Sequence, residues 1–238
     1  MAGPPTATAP IISPMIGYLE ELVLGSLRHV EDFAWPWTPA SPLPTLSFER
    51  LRMLSVVFST CSSRNDDFRA LERFLNLTAS TLQHLEILED RGSPDMRLPQ
   101  PLPSLGELVN LRSITVTTGS NEISVAWVRT ILESIPVDNQ ISSFTLHLHL
   151  IRTDPAWIQR WRRWTIGRTP QWEPLDVLLT RDRHSVHLTS VTLHFTYCDH
   201  PEMFKAFIEQ QLPRLIEKGI LKIGTFPRSQ PKASRGSL

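Results

Sequence analysis

Apolar residues recur along the chain in a short pattern, LxxLxL, in which Ile, Val or Phe can replace Leu. Six copies begin at residues 19, 51, 82, 111, 141 and 188, and a weaker seventh at 218 keeps only the later apolar positions. Successive starts are separated by 32, 31, 29, 30, 47 and 30 residues. Apolar and intervening positions alternate within each copy, which is typical of a half-buried strand. The pattern therefore predicts one strand per copy in a repeating array.

Helical patterns occupy several of the intervals between these strands. Residues 66–77, 124–135 and 201–212 each carry one apolar stripe, with Ser124 as a candidate N-cap and Pro213 as an interruption or kink. The stripes are Phe68, Leu71, Phe74 and Leu75; Trp127, Val128, Ile131, Leu132 and Ile135; and Met203, Phe204, Phe207 and Ile208. Strand followed by helix predicts an α/β solenoid with a single parallel sheet and with helices on its convex side.

The repeated LxxLxL copies resemble the leucine-rich-repeat family over about residues 15–226. The family's repeat is written LxxLxLxxN, and its Asn side chains form a buried ladder that satisfies the backbone of each turn. This chain has other residues at the Asn position: Leu27, Ser59, Asp90, Gly119, His149 and Thr196. The difference predicts an irregular solenoid in which each turn is closed in its own way.

Long repeats with Pro-rich insertions and little Asn look most like the leucine-rich regions of fungal F-box-like proteins. In that family an F-box recruits the ubiquitin-ligase adaptor and the solenoid holds the substrate. No F-box-like helical segment is evident before the first copy, at residue 19. The resemblance therefore implies a non-catalytic protein–protein interaction module, the substrate-recognition part of such a ligase component.

The positions between the apolar residues of LxxLxL should face the concave side of the sheet. In the later copies they agree, and they predict three rows across neighbouring strands: Ser113, Ser143 and Ser190; Thr115, Thr145 and Thr192; and Thr117, His147 and His194. Thr and Ser also simply suit an exposed sheet. A binding role is the alternative, because repeat proteins bind partners on this surface. The candidate residues for a protein or peptide partner are Thr115, Thr117, Ser143, Thr145, His147, His149, Ser190, Thr192 and His194.

Catalytic and metal chemistry have weaker support in the sequence. His147, His194 and His149 share the predicted face, but zinc needs three or four ligands in a tetrahedral array, and no metal-spacing motif is present. The glycine-rich phosphate-binding motifs and the GxSxG nucleophile motif do not occur. We therefore expect neither an enzyme nor a cofactor.

The segment WIQRWRRW, residues 157–164, lies inside a lengthened repeat at about residues 150–187. Residues 151–168 carry five arginines and one acidic residue, a combination that suits nucleic acid or a membrane surface. On a helix, however, Trp157, Trp161 and Trp164 share one face, as a buried stripe requires. We favour packing against the sheet and expect no nucleic-acid or membrane partner.

Composition narrows the class of protein further. The chain has 24 basic and 24 acidic residues, so no net charge draws it to nucleic acid or an anionic membrane. Two cysteines, without a CxxC pair, fit a reducing compartment. No signal peptide or long apolar span is evident. We expect a soluble monomer of the cytoplasm or nucleus, with a solenoid at residues 14–228 between disordered tails at 1–13 and 229–238, the latter basic.

Overall fold

Every copy of the LxxLxL pattern contributes a strand to one seven-stranded parallel sheet. The order of the strands in the sheet is their order in the chain, as when each unit stacks on the one before it. The predicted α/β architecture with a parallel sheet is therefore confirmed. In the computed structural model the strands are β2 (Glu21–Leu24), β4 (Met53–Phe58), β5 (His84–Glu89), β6 (Ser113–Gly119), β7 (Ser143–His149), β8 (Ser190–Thr196) and β9 (Leu221–Phe226).

A second, two-stranded parallel sheet was not predicted. It pairs β1 (Gly17–Tyr18) with β3 (Leu46–Ser47). These strands come shortly before β2 and β4, which are neighbours in the large sheet. The pairing of β2 with β4 brings the chain segments before them close together. These segments, β1 and β3, can therefore form a few backbone hydrogen bonds with each other.

Not every part of the chain is described by the structure. Some of the predictions fall outside the described residues: both tails, the segment 157–164, and Phe68 in the first helical stripe. Among the described residues, no helix is long and apolar enough to cross a membrane. The described residues are 17–24, 46–58, 71–72, 74–89, 104–119, 122–136, 139–149, 172–181, 187–196 and 201–226.

The core lies on one side of the large sheet and is built from the apolar positions of LxxLxL. In the five central copies all three of these positions are buried. The first copy and the last are only partly buried, because each has a neighbouring strand on one side only. The buried positions are Leu51, Leu54 and Val56; Leu82, Leu85 and Ile87; Leu111, Ile114 and Val116; Ile141, Phe144 and Leu146; and Leu188, Val191 and Leu193.

Buried side chains of the helices complete this core. The helices are α1 (residues 71–72 and 74–78), α2 (Glu122–Glu133), α3 (Trp172–Thr180), α4 (Pro201–Gln211) and α5 (Pro213–Glu217). The described members of all three predicted stripes are buried, except Met203, which is partly exposed. The ring of Phe204 on α4 packs edge-on against Phe195 on β8, with 4.4 Å between their centroids.

The start of α2 and the break before α5 can be compared with the boundaries predicted from the sequence. Helix α2 begins at Glu122, so the prediction of Ser124 as its N-cap was wrong, and Ser124 lies inside the helix. An acidic residue at a helix start is favourable, which suits the earlier beginning. The predicted interruption at Pro213 is confirmed, since α5 begins there and proline is tolerated in a first helical turn.

The described turns are closed by different side chains, as expected for an irregular array. The Ser134 hydroxyl donates to the carbonyl of Ile131 and accepts from the backbone N–H of Leu105. Asn139, which is buried, accepts from the N–H of Ile141 through its side-chain oxygen. The side-chain oxygens of Ser134 and Asn139 thus provide acceptors for the backbone N–H groups of Leu105 and Ile141.

Asp176 is a buried carboxylate that joins two helices. It lies on α3, is 2% exposed, and accepts hydrogen bonds from the backbone N–H groups of Arg214 and Leu215 at 3.1 and 3.0 Å. These donors open α5, where no preceding turn can satisfy them. In return, the Lys218 ammonium donates to the carbonyl of Thr180, the last residue of α3. Burial raises the pKa of Asp176, against the opposing effect of the two N–H donors.

We expect Asp176→Ala to lower the free energy of unfolding by about 2 kcal/mol, because both N–H groups lose their acceptor. Since the pKa of Asp176 is raised in the folded state, the folded protein takes up this proton first as the pH falls. The contribution of Asp176 should therefore grow from neutral pH towards its ordinary pKa of about 3.9. Urea unfolding of the wild type and the variant at several pH values measures this difference. Glu217→Ala, an exposed change on α5, is the control; a difference that shrinks towards acid pH would contradict the prediction.

Candidate functional site

Alternate side chains of β6, β7 and β8 point away from the core and form a surface that we call the polar face. The strands pair in register, so that Thr145 lies between Thr115 and Thr192. The predicted rows are confirmed. The polar face consists of Ser113, Ser143 and Ser190; Thr115, Thr145 and Thr192; Thr117, His147 and His194; and His149 with Thr196.

Burial alternates along the strands that carry the polar face. In β7 and β8, core residues are buried and polar-face residues are partly exposed. Thr117 is an exception and a correction to its predicted exposure, since only 9% of it is exposed. It lies between Leu88 and His147, whose larger side chains cover a small neighbour. Thr117 is therefore poorly placed to contact a partner.

Some polar groups on this side of the sheet are bonded to one another. His84 Nδ1 and the Ser113 hydroxyl lie 2.7 Å apart. His149 Nδ1 is similarly bonded to the Thr196 hydroxyl. Within the described part of the chain, the hydroxyls of Thr115, Thr145 and Thr192 have no hydrogen bond to protein groups. The central row is therefore available to a partner.

His147 and His194 form a stacked pair, with 4.7 Å between ring centroids and 26° between ring planes. On the other side of His194 lies Gly224 of β9. A Cβ at that position would be 2.6 Å from His194 Nδ1, closer than atoms can approach. Glycine at position 224 thus leaves room for the His194 ring, and the pair lies between Thr117 of β6 and the backbone of β9.

Both imidazoles resist protonation. Burial lowers the pKa of His147, the charge of His194 lowers it further, and Glu86 acts in the opposite direction. Burial also lowers the pKa of His194. Both rings are therefore neutral at neutral pH, and each can donate through one nitrogen and accept through the other.

The pH dependence of stability should report on this pair. Because the pKa of His147 is lowered in the folded state, the unfolded chain binds protons first as the pH falls through about 6.5. Stability contributed by neutral His147 is present above that pH and is lost below it. We expect His147→Gln to lose less stability than the wild type between pH 7.5 and about 5.5, measured by urea unfolding. Ser143→Gln, a change on the same face of β7 that removes no titratable group, is the control and should behave like the wild type; equal slopes for all three proteins would contradict the prediction.

A zinc site among the histidines finds no support in the geometry. The rings of His147 and His194 face each other, and His149 is bonded to Thr196. In the residues that the structure describes, no three His, Cys, Asp or Glu side chains are grouped as metal ligands. The three histidines therefore do not form the convergent ligand set that zinc requires.

The threonine row has a charged residue at each end, and neither was among the predicted candidate site residues. In register, the row runs from Glu86 on β5 through Thr115, Thr145 and Thr192 to Lys222 on β9. Lys222 could have been found, because it lies between the two apolar residues kept by the seventh copy. At the other end, Glu86 accepts a hydrogen bond of 2.8 Å from Ser55, which is buried. The row thus joins an acidic end to a basic end.

Comparisons of the chain with protein-family models, with curated proteins and with solved structures found no match in any of the three.

Proposed function

We propose that the chain is a non-catalytic interaction module whose polar face binds a segment of a partner protein. The observation that carries this proposal is the threonine row, in which hydroxyls repeat at one per strand without internal hydrogen bonds among the described residues. At the strand spacing of about 4.8 Å, such a row presents closely spaced hydroxyls that can both donate to and accept from the polar groups of a bound segment. The sheet holds these side chains in place before binding, which lowers the entropic cost of association.

The charged ends of the row suggest how a partner would be oriented. Glu86 and Lys222 are four strands apart, or about 19 Å at the usual strand spacing. A complementary segment would carry a basic group near Glu86 and an acidic group near Lys222. Charges at the edge of an interface mainly affect the choice and the orientation of partners.

The architecture that we propose is an irregular leucine-rich-repeat solenoid. Its support is the repetition of one backbone bond, in which the residue before each strand accepts from the equivalent residue of the next copy. The carbonyls of Glu20, Arg52, Gln83, Arg112 and Ser142 accept in this way. A narrower proposal, from the family resemblance, is the substrate-recognition part of an F-box-like ubiquitin-ligase component. That role is tested by asking whether the protein bound at the polar face is ubiquitinated in cells, and whether Thr145→Arg/Thr192→Arg lowers this modification.

A photo-crosslinker at Thr145 tests the polar face directly. We expect it to label one partner segment in cells, and the purified partner to lose at least about tenfold in affinity for Thr145→Arg/Thr192→Arg, because two bulky cations would block the row. Stability should change by less than about 1 kcal/mol. The matched control is Thr130→Arg, which is exposed on α2, on the opposite side of the sheet.

The outcome depends on comparing the two surfaces. Equal labelling from positions 145 and 130, or unchanged affinity in a folded Thr145→Arg/Thr192→Arg variant, would refute the polar face as the binding site. The Thr130→Arg variant must keep full affinity for the partner. Only then can the affinity lost in Thr145→Arg/Thr192→Arg be assigned to the polar face.

A further inference from the structure

A polar cleft of ≈ 430 Å³ lies at the N-terminal ends of neighbouring strands of the large sheet. We call it the rim cleft. Its wall includes Arg52, Gln83 and Arg112, the residues immediately before β4, β5 and β6. It is therefore separate from the polar face, which lies along β6, β7 and β8.

The register of the sheet sets the spacing of these three residues. Because Met53 pairs with His84 and His84 with Ser113, the residues before them are also neighbours. Backbone bonds from Gln83 to Arg52 and from Arg112 to Gln83 hold them side by side. At one strand spacing per step, the Cα atoms of the two arginines are about 10 Å apart, with Gln83 between them.

Both arginines of this row have unused donors. The side chains of Arg52 and Arg112 are exposed, and in the described part of the chain neither forms a salt bridge. A third arginine of the cleft, Arg50, is held over the ring of Tyr18 at 3.9 Å from its centroid. A guanidinium presents five N–H donors in a fixed plane, which suits an oxyanion.

The remaining walls add further donors and some opposing charge. Asn110 is fixed by a 2.8 Å bond from its amide to the carbonyl of Ser80, and both residues line the cleft. Two carboxylates, Glu20 and Glu49, also line it, against three arginines. Glu20 is next to Arg52 in the row, whereas the neighbours of Arg112 are Gln83 and Ser142. Positive charge is thus concentrated at the Arg112 end.

We propose that the rim cleft binds a phosphate group, held between Arg52 and Arg112 over the amide of Gln83. A tetrahedral phosphate offers oxygens in several directions, so guanidiniums on opposite sides can donate to different oxygens together. A carboxylate can also bridge two guanidiniums, but it has a single negative charge and two oxygens in one plane, so it makes fewer charge-assisted bonds than a phosphate does. The phosphate could belong to a phosphorylated side chain or be free in solution. This inference is independent of the proposed role of the polar face.

Titration calorimetry of the full chain at constant ionic strength tests the proposal with inorganic phosphate, a phosphoserine peptide and the same peptide with serine. We expect both phosphate probes to bind and the serine peptide not to bind. Tighter binding of the phosphopeptide than of phosphate would assign the site to a modified side chain, and the reverse order to a free anion. Arg52→Gln and Arg112→Gln should each weaken binding about tenfold, as expected for the loss of a charge-assisted bond.

Charge-matched variants separate a specific site from general electrostatics. Lys205→Gln removes an exposed cation on α4 and should leave the affinity unchanged. Glu20→Gln should strengthen binding, because it removes a carboxylate beside Arg52. Circular dichroism melting establishes that each variant is folded. The absence of binding by the wild type, or equal weakening by Arg112→Gln and Lys205→Gln, would overturn the proposal.

Discussion

Trp172→Ala is expected to lower the free energy of unfolding by about 3–5 kcal/mol, the usual cost of removing a large buried ring. Trp172 begins α3 and is only 2% exposed. Helix α3 packs against both α2 and α5, so a cavity at its start would loosen the helical layer over several copies. Because the chain contains seven tryptophans, circular dichroism in urea is a better measure than fluorescence.

The control for this change is Glu173→Ala, which alters the next residue of α3 but removes only an exposed side chain. It should change stability by less than about 0.5 kcal/mol. A loss below about 1 kcal/mol for Trp172→Ala would contradict the packing of α3 in the core.

Phe144→Ala should have a similar effect, about 3–5 kcal/mol, for a different reason. Phe144 is 1% exposed in β7 and lies between Ile114 of β6 and Val191 of β8. Its removal would open a cavity under the middle of the sheet, where neighbouring strands and their pleat leave little freedom to collapse. Urea unfolding monitored by circular dichroism measures the loss.

Thr145→Ala is the matched control, because successive side chains of a strand point to opposite faces. It should cost less than about 1 kcal/mol, since Thr145 is partly exposed on the polar face. Similar losses for Phe144→Ala and Thr145→Ala would mean that the assignment of the two faces is wrong.

The strands could be predicted because their signal is local and repeated. Alternating apolar residues at a spacing of about 30 residues identified seven strands and their register, including the pairing of His147 with His194. Helix α3 was missed, although Leu175, Leu178 and Leu179 are all buried. Pro174 obscured it, since proline normally breaks a helix but is tolerated in a first turn.

The sequence by itself determined which residues form the strands of the large sheet and which side of that sheet each faces, because both follow from a period of two along the chain. Only the tertiary structure decided what those side chains do together. The shielding of Thr117, the space beside Gly224 that admits His194, and the buried bonds of Asp176 to α5 each depend on residues far apart in the chain. Arg52 and Arg112 likewise come to share a cleft because strands 60 residues apart are held two positions apart in the sheet. Local periodicity records the direction of a side chain, whereas its surroundings are set by the register between distant strands and by the packing of helices across them.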